Sequence, residues 1–256
     1  MAARIRGLRR PHNRAIIATA PARRKTTVPL LEPTVLYCDN HLLALDKPAG
    51  MPIQADASGD LDLHSWAKVW IGKQFRKPGA VFCGIVHRLD RPARGVVVLA
   101  RTSKAAARLS RQFAERTAHK VYEAVVLAEV ASDTGDCVDW LATGEGSTRV
   151  VAASHPDAQR AELTWQVADR AVGRTLLQIA LRTGRKHQIR AQWAHRGHPL
   201  LGDLRYGAPA PLPDRSIALW ARELTLSHPT RPETLTFAST PPPGWPWHLE
   251  ARLAPR

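Results

Sequence analysis

Gly84-Ile85-Val86-His87-Arg88-Leu89-Asp90-Arg91-Pro92-Ala93-Arg94-Gly95-Val96-Val97-Val98-Leu99 sets one carboxylate, Asp90, between two apolar runs. The runs Val81 to Val86 and Val96 to Ala100 predict buried strands bounded by Gly and Pro. Arg88, Arg91 and Arg94 crowd Asp90, and His87 stands close by. Cations at that density keep a carboxylate ionised, which suits a nucleophile or a general base and not a proton donor. On local charge alone, the commoner fate of such residues is a surface Asp–Arg pair of little energetic worth.

Working outward, Thr34 to Cys38 and Leu42 to Asp46 predict two strands joined by a turn at Asp39-Asn40. Lys47-Pro48-Ala49-Gly50-Met51-Pro52 follows as a tight loop. The spacing of Leu63, Ala67, Trp70 and Ile71 predicts a helix from Asp60, its N-cap, to Phe75. A second helix is expected from a Ser103 cap to Glu115, with Ala106, Leu109 and Phe113 inward and its cations outward. The chain is then strand-rich, with candidates at Val121–Ala128, Thr148–Ala153, Ala161–Ala168 and Thr175–Leu181. Gly144-Glu145-Gly146-Ser147-Thr148 lacks the lysine of a phosphate loop and reads as a hairpin turn.

At Arg182-Thr183-Gly184 a strand ends, and a helix is expected from near Lys186 to His195, anchored by Ile189 and Trp193. Its cation-rich start is a candidate phosphate site. Metal binding by His187, His195 and His198 lacks a neighbouring carboxylate or thiolate set, so no metal is expected. Ile217 to Leu226 and Thr234 to Ala238 predict an antiparallel pair across His228-Pro229-Thr230. The proline-rich Pro241 to Trp247 fits neither helix nor central strand, and its two tryptophans are expected to fold back on the body.

The 256 residues carry 37 Lys and Arg against 22 Asp and Glu. Eight of these cations, and no acid, fall in residues 1–25, leaving 29 basic against 22 acidic residues, a balance of +7. That balance suits a polyanionic partner without distinguishing nucleic acid from an acidic protein or membrane surface. Residues 1–33 are expected to form a basic, flexible tail, an RNA-grasping arm or a targeting segment. Three widely spaced cysteines without a CxxC pair fit a reducing compartment, and a cytoplasmic location is expected. No apolar run reaches the 18 residues of a membrane span.

His87-Arg88-Leu89-Asp90 with Gly95 resembles the HRLDxxTSG signature of the RluA-type RNA pseudouridine synthases. Leu45-Asp46-Lys47-Pro48-Ala49-Gly50 resembles that family's NKPAG segment, and Lys120-Val121-Tyr122 its K-x-Y strand. Thr183-Gly184-Arg185-Lys186-His187-Gln188-Ile189-Arg190 is similar to its TGRxHQIR element, and Gly202 to Gly207 to its GDxxYG turn. Five elements in order, between about residues 35 and 238, make a specific match.

The resemblance implies an α+β fold, a central, mainly antiparallel mixed sheet flanked by helices, over residues 34–256. It leaves no room for an N-terminal S4 domain. It implies a cofactor-free isomerase, monomeric and off the membrane, that converts uridine to pseudouridine in rRNA or tRNA. By the same resemblance Asp90 is the catalytic carboxylate, Arg185 pairs with it, and Tyr122 stacks on the target ring. Arg88 fills the space left by a flipped base, and His87, Lys120, Lys186 and Arg190 are further RNA contacts. Two departures bear on loop geometry and substrate choice: Ala93-Arg94 stands for the family's Thr-Ser, and Gln192 replaces a histidine. A catalytically inactive RNA-binding module and a metal-free hydrolase using His87 and Asp90 are the rival readings.

Overall fold

A computed structural model describes residues 32–241 and 244–247. In chain order its strands are β1 (Thr34–Cys38), β2 (Leu42–Lys47), β3 (Gly84–Ile85), β4 (Arg94–Ala100), β5 (His119–Leu127), β6 (Thr134–Thr143), β7 (Thr148–Val151), β8 (Gln159–Ala171), β9 (Arg174–Leu181), β10 (Leu219–Ser227) and β11 (Thr234–Ala238). The helices are α1 (Leu63–Gln74), α2 (Ser103–Ala114) and α3 (Gln188–His195). All described strands join one sheet in the order β1-β2-β4-β10-β5-β9-β8-β6-β7, with β3 on β4 and β11 on β10. Every described pairing is antiparallel except that of β4 with β10. This is the mixed, mainly antiparallel α+β sheet that the resemblance implied.

The buried strand β4 explains why its sequence is continuously apolar. Val97 and Leu99 enter one core with Leu63, Ala67 and Ile71 of α1. Val96, Val98 and Ala100 face the other way, against Ala105 and Leu109 of α2. A strand covered on both faces has no polar side to alternate with. Gly95 sits at φ +116°, where β10 passes so close that a Cβ would fall on the Ala221 carbonyl. Only glycine combines that φ with that approach.

Four local expectations need correction. The N-cap of α1 is Asp62, whose carboxylate accepts the Ser65 N–H at 2.9 Å, whereas Asp60 is held by Arg91. The cap of α2 is Thr102, one residue before Ser103. The predicted strand Val81–Val86 shrinks to Gly84–Ile85, because the His87 ring and not a strand accepts the Val98 N–H, at 2.9 Å. The missed strand β6 carries Gly135, Asp136 and Asp139, residues of low strand propensity. It forms by pairing with β8, where the Trp165 ring lies against Gly135.

Trp245 and Trp247 do fold back, each 5 % exposed, onto Val125, Leu176 and Trp220. The basic stretch before residue 32 lies outside the described residues. Among the described residues no helix is long and apolar enough to cross a membrane.

Candidate active site

The loop between β3 and β4 carries Asp90 into a cleft of about 880 Å³, which Tyr122 on β5 and the β9–α3 connection also line. The loop is held from several sides. Ala93 N–H closes a turn onto the Asp90 carbonyl at 3.1 Å, and Gly50 N–H reaches the Arg91 carbonyl at 2.8 Å. Beneath it lies the fully buried Lys47. Its Nζ donates to the carbonyls of Pro48, Met51, Arg91 and Ala93 at 2.7–3.2 Å. Burial pulls Lys47 down to about 7, while the Asp90 charge holds the ammonium form against it.

The hydroxyls lost at Ala93-Arg94 therefore leave the loop anchored. The Ala93 side chain is packed in the core, and its carbonyl takes the shortest of the Lys47 bonds. Arg94 turns away from the cleft to Asp214 Oδ2 (2.5 Å) and Ser216. Arg91 lines the cleft but is bound to the Gly50 carbonyl, Asp56 and Asp60. Two of the three arginines that crowd Asp90 in sequence are thus pledged elsewhere.

The partner of Asp90 is Arg190, not Arg185. Arg190 Nη1 lies 3.0 Å from Asp90 Oδ2, while its Nε and Nη2 grip both oxygens of buried Asp203 at 2.6 and 2.8 Å. Its guanidinium also covers the Tyr206 ring at 4.8 Å. Burial works against the charge of Arg190, and the Asp203 and Asp90 carboxylates more than offset it. Arg185 lines the same cleft but gives its Nε to the Arg160 carbonyl. Arg190 lies within the buried start of α3, where Gln188 to Trp193 are all buried, whereas Arg185 precedes the helix. Arg190, expected as an RNA contact, is a buried structural and electrostatic element.

Tyr122 is buried beside Asp90, and burial followed by the Asp90 charge pushes its phenol above the usual range. His87 is also corrected. Its Nε2 accepts a backbone N–H and its ring stacks on Phe113 at 4.5 Å. Burial, with Lys120 adding to it, holds His87 down to about 3, so the ring is neutral. His87 still lines the cleft, with its hydrogen bond directed at β4.

Arg88, Lys120 and Lys186 line the cleft as expected, with no ion pair or hydrogen bond from their side chains to another described residue. Gly184 leaves the space that Lys120 Nζ occupies: a Cβ there would lie 3.2 Å from it. Sequence reasoning missed Lys47, Asp203 and Tyr206 as parts of the site, although all three stand inside quoted motif segments. Gln192, in place of the family histidine, is buried away from Asp90 with its amide on Asp139 at 2.7 Å. Among the described residues no three His, Cys, Asp or Glu side chains converge as a metal site.

Comparison with known proteins bears on the family and the fold. A ribosomal large subunit pseudouridine synthase D from Xanthomonas campestris is 34 % identical over 225 residues, 82 % of this chain and 66 % of that relative. The dual-specificity RNA pseudouridine synthase RluA of Haemophilus influenzae is 32 % identical over 82 % of this chain and 94 % of its own length. In fold, the human RNA pseudouridylate synthase domain containing 4 superposes with a TM-score of 0.70 at 23 % identity, covering 82 % of this chain and 89 % of that one. The family described as RNA pseudouridylate synthase matches residues 41–195, which include Asp90, Tyr122 and Arg190, and this chain belongs to that isomerase family.

Proposed function

We propose that this chain converts uridine to pseudouridine in ribosomal RNA, with Asp90 as the catalytic carboxylate. One observation carries the reading. A partly exposed carboxylate, tied through a single oxygen to a buried arginine, faces a cleft rimmed by unpaired cations. In the reaction the N1–C1′ bond breaks, C1′ joins C5, the C5 hydrogen leaves to solvent as a proton, and N1 takes up a proton in its place. The target base must leave its stack to enter such a cleft. Asp90 Oδ2 is anchored on Arg190, so Oδ1 is the oxygen presented to the nucleotide. Tyr122 enters the reaction as a protonated phenol. Arg88, Lys120, Lys186 and Arg185 are placed to meet phosphates. The names of the relatives, two of them ribosomal or dual-specificity enzymes, favour ribosomal RNA as the substrate.

The test uses a large-subunit ribosomal RNA transcript tritiated at uridine C5, with tritium release as the readout. Wild type is expected to release tritium. Asp90→Asn is expected to lose at least about 1,000-fold in rate, with RNA affinity within about threefold of wild type. Equal rates for the two proteins would overturn the role of Asp90. Strand cleavage or free uracil would point to the hydrolase. Binding without tritium release, on ribosomal and transfer RNA alike, would leave a binding module.

A further inference from the structure

The oxygen of Asp90 that Arg190 leaves free faces a second group. His187 Nε2 lies 3.9 Å from Asp90 Oδ1. The other ring nitrogen, Nδ1, is 2.9 Å from the Tyr206 hydroxyl. That hydroxyl is already an acceptor: Thr148 N–H donates into it at 2.9 Å, and the Thr148 hydroxyl approaches it as well. With the Thr148 N–H donated into its oxygen, the phenol has its own proton to send to Nδ1. The remaining proton of a neutral imidazole then sits on Nε2, pointing at Asp90. Electrostatics select the same tautomer, because the other one would turn a lone pair towards the carboxylate.

The backbone supplies an independent sign. His187 sits at φ +52°, in the left-handed region, at the start of α3. A side-chain-bearing residue held there has a local cost, and such residues collect where a particular side-chain direction is required. Burial holds the ring down to about 4 against the Asp90 charge, with Arg190, Lys186 and Arg205 pushing the same way as burial. The imidazole is neutral near pH 7.

We infer that His187 is a positioning residue for Asp90. Its Nε2–H, fixed by the Tyr206 hydroxyl, aims Oδ1 at the nucleotide while Arg190 anchors Oδ2. This rests on the proposed role of Asp90 and adds the residue pair that orients its reactive oxygen. At 3.9 Å the pair is not a closed hydrogen bond, so the role asks for an N–H dipole directed at Oδ1 and not for a proton to be transferred.

Two measurements decide it. In RNA-free, 15N-labelled wild type near pH 7.5, the His187 ring signals, identified by their loss in His187→Gln, are expected to report the Nε2–H tautomer. In Tyr206→Phe they are expected to move towards the Nδ1–H form or a mixture. In single turnovers on the tritiated ribosomal transcript, His187→Ala is expected to slow the chemical step by about 10- to 100-fold with affinity within about twofold. His187→Gln, whose amide N–H can reach the same point, is expected to recover most of that loss. An Nδ1–H signal in wild type, an unchanged rate in His187→Ala, or a glutamine variant as slow as the alanine one would each overturn the inference. The tautomer is read without RNA, so an inactive wild type would sink the proposed function and leave the NMR test of His187 standing.

Discussion

Two sets of cations at the site are used in opposite ways. Lys47, Arg91, Arg94 and Arg190 are all engaged, with carbonyls or carboxylates for partners. On the rim of the cleft, Arg88 of the Asp90 loop, Lys120 of β5 and Lys186 ahead of α3 have none among the described residues. Arg185 sits between these extremes, spending one N–H on a carbonyl. The difference separates two tasks. Committed cations hold a carboxylate in one place, which chemistry requires. Uncommitted ones keep their charge for phosphates and contribute little to stability.

That contrast can be broken by substitution. The largest effect is expected at Arg190. Arg190→Ala leaves Asp203, 1 % exposed at its side chain, without a counter-charge, and should cost about 3–5 kcal/mol in urea denaturation. Arg190→Lys should recover only part, since an ammonium cannot bridge both oxygens of Asp203 and one of Asp90. Next comes Lys47→Met, which strips four carbonyls of one donor and should cost about 1–3 kcal/mol.

His87 provides a pH-dependent case. Its folded pKa of about 3 lies below the 6.5 of a free imidazole, chiefly through burial and then through Lys120. Between those values the unfolded chain binds a proton that the folded chain does not, so stability falls as pH falls from 6.5. His87→Gln, which keeps an acceptor for the Val98 N–H, should be less sensitive. Relative to it, wild type should lose on the order of 1–2 kcal/mol between pH 6.5 and 5 in chemical denaturation. Equal slopes would mean that the His87 ring is charged in the folded chain.

The smallest stability effect is expected on the open rim. Arg88→Ala and Arg185→Ala should each change unfolding free energy by less than about 0.5 kcal/mol. Each should still weaken RNA binding and lower the slope of log affinity against log salt by about 1. A rim variant that unfolds the protein, or an Arg190 variant that changes only the salt slope, would abolish the distinction between the two sets of cations.

Much of this arrangement is written locally. The continuous Val96 to Ala100 run, the Leu63–Ala67–Ile71 stripe and the Thr234 to Ala238 strand each announce their element, because burial on a defined face imposes a period. Strand β6 does not, because its stability comes from β8 and the Trp165 ring and not from its own residues. The site shows the same division. Asp90, Tyr122 and the β9–α3 element were readable as motif residues, and the structure brings them to one cleft.

The roles of the charged residues were a different matter. Sequence spacing put Arg88, Arg91 and Arg94 around Asp90, and the family resemblance named Arg185 as its partner. The folded chain sends Arg91 and Arg94 elsewhere and supplies Arg190 from 100 residues away. From residue types and order came the buried central strand and the loop that carries Asp90, and from the family resemblance the mixed sheet. Only the tertiary structure decided which guanidinium meets that carboxylate, which lysine lies beneath its loop and which histidine is neutral. An ion pair depends on distance, direction and burial together, and none of these can be read from a chain until its distant segments have packed.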